Sequence, residues 1–201
     1  STLEGDEEAA SIAPKSSSRF RTPRLGDDRP LTPTQRGSAA HMFLQYVDYA
    51  KTDSEADLHE ELVRLTRQKF LTVRQAESID LDCILRLFAS PIGQRIMSAD
   101  RLWREFKFSL LCPAEKFFPG GEGESVLLQG VIDCMIEENG EITIIDYKTD
   151  RVRGEETLER AKGYAKQLEA YAYAAHRMTG RPVRECVLYF VYSGETVRTE
   201  R

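Results

Sequence analysis

Apolar residues recur at every third or fourth position between about residues 32 and 97, and this spacing predicts a series of amphipathic helices. Residues 32–35 read Thr-Pro-Thr-Gln, which supplies a capping threonine, a proline at the first helical position and a glutamine that can complete a capping box. A second start of this kind lies at Thr72, with Gln75 three residues later. Helices are predicted over about 32–50, 56–68, 72–88 and 92–97.

After residue 100 the pattern changes to the alternation of apolar and polar positions that is typical of strands. Helices followed by three strands, a helix and a strand predict an α/β domain built around one sheet. The predicted strands span about 103–111, 125–136, 141–147 and 185–192, and a long helix spans about 156–178.

The first 30 residues are rich in serine, proline, glycine and charge and have no sustained apolar period. This composition favours a linker or loosely packed arm over residues 1–30, with the folded domain over 31–201. Arg19, Arg21 and Arg24 in the arm either contact a phosphate backbone or partner domain or are simply solvated, and the second interpretation is preferred. Because the chain does not begin with methionine, we expect a fragment of a longer protein.

The composition narrows the class of protein. Of the 201 residues, 41% are hydrophobic, which suffices for one packed core. No run approaches the roughly 20 apolar residues of a membrane span, and the start lacks the features of a signal peptide, so we expect a cytoplasmic protein without membrane contact. The net charge of −5 argues against binding nucleic acid by charge alone, but not against an enzyme whose acidic site holds cations.

The four cysteines lie far apart and form no CxxC pair, which argues against a zinc ribbon and against a locally held iron–sulfur cluster. We expect reduced and mostly buried thiols. The cysteines are Cys83, Cys112, Cys134 and Cys186.

An Asn-Gly pair at residues 139–140 lies between two apolar strands and predicts a tight hairpin with a type I′ turn. Glu138 then faces Glu141, and the same register places Asp133 opposite Asp146. Directly opposed side chains on one face have Cβ atoms about 4.5–5.5 Å apart. Two carboxylates at that separation need either a shared proton or a divalent cation between them.

Lys148 lies two residues beyond Asp146 and therefore points to the same face, whereas Ile145 and Tyr147 point to the opposite layer. Two acids beside an ammonium favour a bound cation, Mg²⁺ or Mn²⁺. The lysine would then orient or deprotonate an attacking water or stabilise a pentavalent phosphate. The alternative is a surface hairpin with an ordinary Asp146–Lys148 ion pair. The facing Asp133 and the apolar strands make that interpretation the weaker one.

Three side chains share one face of the long predicted helix: Tyr164, Gln167 and Tyr171. The glutamine can hydrogen-bond a DNA phosphate or the attacking water while the rings pack on sugar or base, although the helix alone favours core tyrosines and a surface glutamine. His41, on the apolar side of the first helix, is on pattern alone more typical of a hydrogen-bonded core residue than of a ligand. Glu105 either points at the site or pairs with the arginine before it.

Five stretches of this sequence match one family in order, each weak alone but specific together. They are Arg36-Gly37-Ser38-Ala39-Ala40-His41, Arg104-Glu105-Phe106, Gly130-Val131-Ile132-Asp133, Ile144-Ile145-Asp146-Tyr147-Lys148-Thr149-Asp150 and Tyr164-Ala165-Lys166-Gln167-Leu168-Glu169-Ala170-Tyr171. With these stretches the chain resembles the PD-(D/E)XK nucleases of the RecB type, and among them the nuclease domains of AddA-type helicase–nucleases.

The resemblance implies a role for each site residue. The implied metal ligands are His41, Asp133, Asp146 and the backbone carbonyl of Tyr147. The implied catalytic lysine is Lys148, assisted near the metal by Glu105, with Gln167 and Tyr171 contacting DNA or placing the substrate. It also implies a restriction-endonuclease-like αβββαβ core, a central mixed sheet flanked by helices, here with extra N-terminal helices.

The family further implies Mg²⁺-dependent hydrolysis of single-stranded DNA in double-strand-break repair and recombination. A helicase portion of the same chain and an AddB-like partner protein would be the partners. The cysteines lack the arrangement that holds the iron–sulfur cluster of some relatives, so no cluster is expected, and no GxxxxGK[ST] loop is present. The alternatives are a catalytically silent module that binds DNA or braces a partner, and a restriction-type or CRISPR-associated nuclease.

Overall fold

The computed structural model describes residues 30–200, so the predicted arm and its arginines lie outside the described part except for Pro30. The helices are α1 (Pro33–Tyr46), α2 (Glu55–Arg67), α3 (Val73–Glu77), α4 (Leu81–Ala89), α5 (Pro91–Ser98), α6 (Glu155–Lys162) and α7 (Ala165–Thr179). The strands are β1 (Arg101–Pro113), β2 (Ser125–Glu138), β3 (Glu141–Lys148), β4 (Val183–Phe190) and β5 (Glu195–Glu200).

The strands form one sheet in the order β1-β2-β3-β4-β5. The β3–β4 pair is parallel and the other pairs are antiparallel, so the sheet is mixed. One face packs on α1, α2, α4 and α5, and the other packs on α7. The predicted α/β class with a central mixed sheet between helices is confirmed.

The capping box at the start of α1 is confirmed: the Gln35 N–H donates to the Thr32 hydroxyl at 3.2 Å, and the Thr32 N–H donates to Gln35 Oε1 at 2.9 Å. The predicted extension of this helix to residue 50 is wrong, since α1 ends at Tyr46. Asp48 caps a separate short turn, and its N–H donates to the buried carboxylate of Glu61 at 2.7 Å. That side chain, distant in sequence, ends the helix early.

Two predicted long helices are each broken into two. The helix expected over 72–88 ends with α3, and Asp80 then caps α4 by accepting the N–H of Cys83 at 3.3 Å. The helix expected over 156–178 breaks at Gly163 and Tyr164, whose N–H groups bond three residues back in a tightened turn. Both breaks follow from local capping or glycine chemistry that the apolar period does not register.

The last predicted strand, 185–192, ends at Phe190, and a turn leads to β5, which was not predicted. Gly194 in that turn has φ of 75°, a left-handed value that favours glycine. Residues 195–200 carry one apolar side chain, Val197, so an edge strand exposed to solvent gives almost no hydrophobic pattern.

The Asn-Gly hairpin between β2 and β3 is confirmed. Asn139 and Gly140 have φ of 52° and 82°, as a type I′ turn requires, and Glu138 pairs with Glu141. The predicted alternation also holds, since Ile145 packs with the α1–α5 side and Ile144 with the α7 side.

The four cysteines are all buried with free thiols, as predicted. Within residues 30–200, no helix is both long enough and apolar enough to cross a membrane.

Candidate active site and metal centre

The candidate site lies where β2 and β3 stop pairing. Their ladder keeps the predicted register up to Cys134 and Ile145 and ends there, one residue before Asp133 and Asp146. The predicted direct pair of the two aspartates is therefore corrected, because Asp133 Oδ2 accepts the peptide N–H of Tyr147 at 2.9 Å instead. A side-chain carboxylate takes over a hydrogen bond at the point where the two strands separate.

Glu105 faces the site from the other side of β2. It is the one residue of β1 without a partner in the β1–β2 ladder, and its φ of 51° lies in the left-handed region. Such a conformation costs a non-glycine residue on the order of 1–3 kcal/mol and is concentrated at functional sites. The neighbouring Arg104 is engaged elsewhere, donating to the Val47 carbonyl at 2.7 Å and lying 4.5 Å over the Tyr49 ring.

His41 reaches the same place from α1. Its Nδ1 lies 3.2 Å from Asp133 Oδ1, and its side chain is 20% exposed. Of the two interpretations left open by the helix pattern, a core position and a site position, the structure brings His41 into the site. Ligand atoms of His41, Glu105 and Asp133 lie within 4.8 Å of one another.

Asp146 and Lys148 form the second half of the site. Both carboxylate oxygens of Asp146 are buried, and the Lys148 ammonium is in direct contact with Oδ2. Asp146 lies outside the group formed by His41, Glu105 and Asp133. The site therefore has two parts, an imidazole with two carboxylates and a carboxylate with an ammonium.

The side chains predicted on the long helix converge on Lys148. Its ammonium donates to Gln167 Oε1 at 3.0 Å and lies 3.7 Å from the centroid of the Tyr164 ring. Gln167 Nε2 donates in turn to the Tyr171 hydroxyl at 2.8 Å. Because α6 and α7 are separated by a turn, Tyr164 ends beside the lysine. These contacts fix the direction of the ammonium.

Tyr171 belongs to the core and to the site together. Burial, and then the charges of Asp146 and Asp133, raise the pKa of its hydroxyl far above the usual value. The hydroxyl therefore keeps its proton and can still donate a hydrogen bond while it accepts one from Gln167. The interpretation of this tyrosine as a core residue is confirmed by its 6% exposure, yet its polar end faces the carboxylates.

Two glycines of the matching stretches allow close approaches. A Cβ at Gly37 would lie 2.7 Å from Thr149 Oγ1, so α1 can sit directly against the residue after Lys148. A Cβ at Gly130 would lie 2.6 Å from the Phe108 ring. Glycine inside a helix or strand is a sequence sign of such contacts.

Comparison of the sequence with known families decides the identity of this arrangement. Residues 17–200 match the PD-(D/E)XK nuclease superfamily. The chain belongs to that superfamily. The matched range also includes the second half of the segment predicted to be an arm.

Among curated proteins, the chain is similar to the larger members of bacterial helicase–nuclease complexes. An ATP-dependent helicase/nuclease protein of Bacillus cereus (strain Q1) is 37% identical over 188 residues, which cover 89% of this chain and 15% of that protein. The proteins of the same name from Bacillus mycoides (strain KBAB4) and Bacillus anthracis are also 37% identical, with the same shares covered. The chain thus spans about 15% of the length of these relatives.

PD-(D/E)XK nucleases use divalent metals, and the residues of this site fit one. Two ligands of one Mg²⁺ lie at most about 4.2 Å apart, given bonds of 2.0–2.1 Å. The ligand atoms of His41, Glu105 and Asp133 lie within 4.8 Å of one another, close to that limit. Carboxylate oxygens suit Mg²⁺, and an added imidazole also suits Mn²⁺.

Asp150 and Arg160 contribute to the site but were not singled out from the sequence. Asp150 accepts the Tyr164 hydroxyl at 3.0 Å and the Arg160 guanidinium at 2.8 Å. Burial and the Asp150 carboxylate raise the pKa of Tyr164 to about 12. Asp150 follows Lys148 by two residues, so its position in the matching stretch was the available signal.

Proposed function

We propose that this chain is a Mg²⁺-dependent deoxyribonuclease domain that hydrolyses phosphodiester bonds, with Mn²⁺ as a substitute metal. The observation that carries the proposal is the convergence of His41, Glu105 and Asp133 beside the buried pair of Asp146 and Lys148. Membership of a nuclease superfamily supports it. A scaffold gains nothing from three carboxylates held close together, one of them on a strained backbone.

The metal would be held by His41, Asp133 and Asp146 together with the backbone carbonyl of Tyr147, and Glu105 would add a carboxylate. When bound, the ion supplies positive charge against the phosphate oxygens on which negative charge accumulates during hydrolysis. The Tyr147 backbone is already tied to Asp133 through its N–H. That hydrogen bond fixes the peptide plane next to the carboxylate.

Lys148 would act on the reacting groups themselves. Its ammonium is held by Asp146, Gln167 and the Tyr164 ring, so it enters the reaction already oriented. From this position it directs the attacking water and stabilises negative charge developing on the phosphate. Gln167 and Tyr171 would donate to phosphate oxygens, since both carry N–H or O–H groups beside the carboxylates.

The substrate would be single-stranded DNA, supplied by a helicase portion of the same chain during double-strand-break repair and recombination in the bacterial cytoplasm. An AddB-like protein would be the partner. The names of the relatives and the 15% share of their length support this assignment. A nuclease domain joined to a motor does not need a strong basic surface of its own, which agrees with the net charge of −5.

The test compares labelled single-stranded and duplex oligonucleotides of one sequence, each incubated with Mg²⁺, Mn²⁺ or EDTA. We expect the single strand to be cut faster with either metal and neither substrate to be cut in EDTA. Binding of the strand without cutting in any metal, together with no metal binding by calorimetry, would identify the catalytically silent module instead. Preferential cutting of the duplex would favour a restriction-type nuclease.

A further inference from the structure

A cavity of about 440 Å³ opens beside the loop that follows β3, on the side of α4. Three arginines line it: Arg86 from α4, and Arg151 and Arg153 from the loop. Asp80 and Glu156 also line it, so cations exceed carboxylates there although the whole chain is acidic. None of these residues belongs to the candidate active site.

Two of the three arginines are fixed by the same residue. The Arg86 Nη1 donates to the Tyr192 carbonyl at 3.0 Å, and the Arg151 guanidinium lies 4.4 Å from the centroid of the Tyr192 ring. The end of the loop is anchored as well, because the Gly154 N–H donates to the Glu195 carboxylate on β5 at 2.9 Å. The cationic groups are thus held in place before any ligand arrives.

The cavity is covalently close to the reacting groups. Arg151 is three residues beyond Lys148, and three residues span at most about 11 Å. On the neighbouring strand, the Val191 N–H donates to the Lys148 carbonyl at 2.8 Å, and Tyr192 follows directly. A stacked strand advances about 3.4 Å per nucleotide. The distance therefore corresponds to roughly three nucleotide steps from the scissile bond.

The chemistry of the lining suits a phosphate ester. The planar fork of arginine binds two phosphate oxygens together, and the hydroxyl of Ser193, which also lines the cavity, can add a third donor. The volume lies in the range of pockets that take a small ligand such as one nucleotide. Neither Asp80 nor Glu156 removes the excess of donors, since Asp80 caps α4 through the Cys83 N–H.

We propose that this cavity binds the sugar–phosphate backbone of the DNA strand about three nucleotides from the bond that is cut. The assignment rests on the proposed nuclease function, and it adds a second contact that keeps the strand in register with the active site. Arg151 and Arg153 bind the phosphate, and Arg86 together with Tyr192 fixes the position of Arg151.

The test measures binding of a fluorescent single-stranded oligonucleotide by anisotropy in EDTA, so that the strand stays intact. The Arg151→Ala/Arg153→Ala variant is compared with Arg67→Ala/Arg177→Ala, which removes the same charge from two exposed helix positions outside the cavity. We expect the first variant to raise Kd at least tenfold, and to reduce the slope of log K against log salt by about 1.4 for two lost phosphate contacts. Thermal melting of both variants checks that each is folded.

Equal Kd values and salt slopes for the two double variants, both folded, would overturn the proposal. A free deoxynucleoside monophosphate that binds through the same arginines as tightly as the strand would also overturn it, in favour of a mononucleotide site. Failure of the proposed function looks different, because the wild-type chain would then neither bind nor cut DNA in any metal. A wild type that cuts DNA beside an unaffected arginine variant removes the cavity proposal alone.

Discussion

At the scale of single residues, the site concentrates negative charge where the fold gives it little screening. Asp133 is 5% exposed and Asp146 is fully buried, and Glu105 completes the set in a strained backbone conformation. Like charges in such surroundings repel each other and destabilise the metal-free protein. Part of the stability of the fold is therefore given up for the ability to bind a cation.

We expect Asp133→Asn to raise the melting temperature in EDTA by a few degrees, because it removes one of these charges while its amide oxygen can still accept the Tyr147 N–H. The same change should abolish metal binding. Asp133→Ala is the control, since it leaves the Tyr147 N–H without its acceptor and should lower the free energy of unfolding by about 1–3 kcal/mol. An Asn variant that melts below the wild type in EDTA would argue against repulsion at this point.

The strained conformation of Glu105 gives a second prediction. Glu105→Gly should raise the free energy of unfolding in EDTA by about 1 kcal/mol, since glycine adopts a φ of 51° at no steric cost. It should also weaken Mn²⁺ binding in a calorimetric titration. Lys69→Gly is the matched control, because Lys69 has φ of 64° in a turn after α2 and should show the gain in stability without any change in metal binding. Unchanged Mn²⁺ affinity in Glu105→Gly would remove this residue from the metal site.

At the scale of elements, α1 and α2 are joined by the buried carboxylate of Glu61. It accepts the Asp48 N–H and two hydrogen bonds from Arg64, at 2.8 and 2.5 Å. This junction holds the end of α1, and α1 carries His41 into the site. The geometry of the metal ligands thus depends on a contact that involves no ligand.

The hydrogen bond from Arg64 and the one from the Asp48 N–H hold the pKa of Glu61 below its usual value. Since the folded pKa is the lower one, the stabilisation is present above the unfolded value of about 4.3 and is lost as the pH falls through the folded value. We expect Glu61→Gln to make the stability depend less on pH below about 4.3 than it does in the wild type. Urea unfolding between pH 3 and 6 measures this, and a similar flattening in the exposed Glu60→Gln control would contradict it.

The elements also show how much of the fold the sequence determines locally. Both capping boxes and the Asn-Gly hairpin with its register were predictable, because each depends on residues no more than a few positions apart. The end of α1 was not, since it depends on Glu61 from the next helix. The edge strand β5 escaped because its alternation is almost entirely polar.

The site divides in the same way. The members of the site were predictable from the hairpin register and the matching stretches. Their geometry was not, because it depends on where two ladders are interrupted. Asp133 leaves its predicted pair for the Tyr147 N–H, and Glu105 turns into the left-handed region. Apolar alternation carries no information on either event.

At the scale of the whole molecule, the sheet brings together groups that are distant in sequence. His41 comes from the helical side, Glu105 and Asp133 from the β1–β2 hairpin, and Lys148 from β3, and α7 closes the site with Gln167. The metal ligands and the lysine are thus carried by different elements that meet at one fork in the sheet. Hydrolysis at this fork requires both halves, and the lysine half can be removed separately.

The decisive measurement is cleavage of a labelled single-stranded oligonucleotide in Mg²⁺ by the wild type and by two lysine variants. Lys148→Ala should lower the rate by at least about a hundredfold, the size of effect expected when a charge-stabilising donor is removed. Lys162→Ala removes an exposed lysine paired with Glu159 and should cut as the wild type does. Circular dichroism and metal binding should be retained in both. A Lys148→Ala protein that cuts DNA at the wild-type rate would contradict the proposed active site.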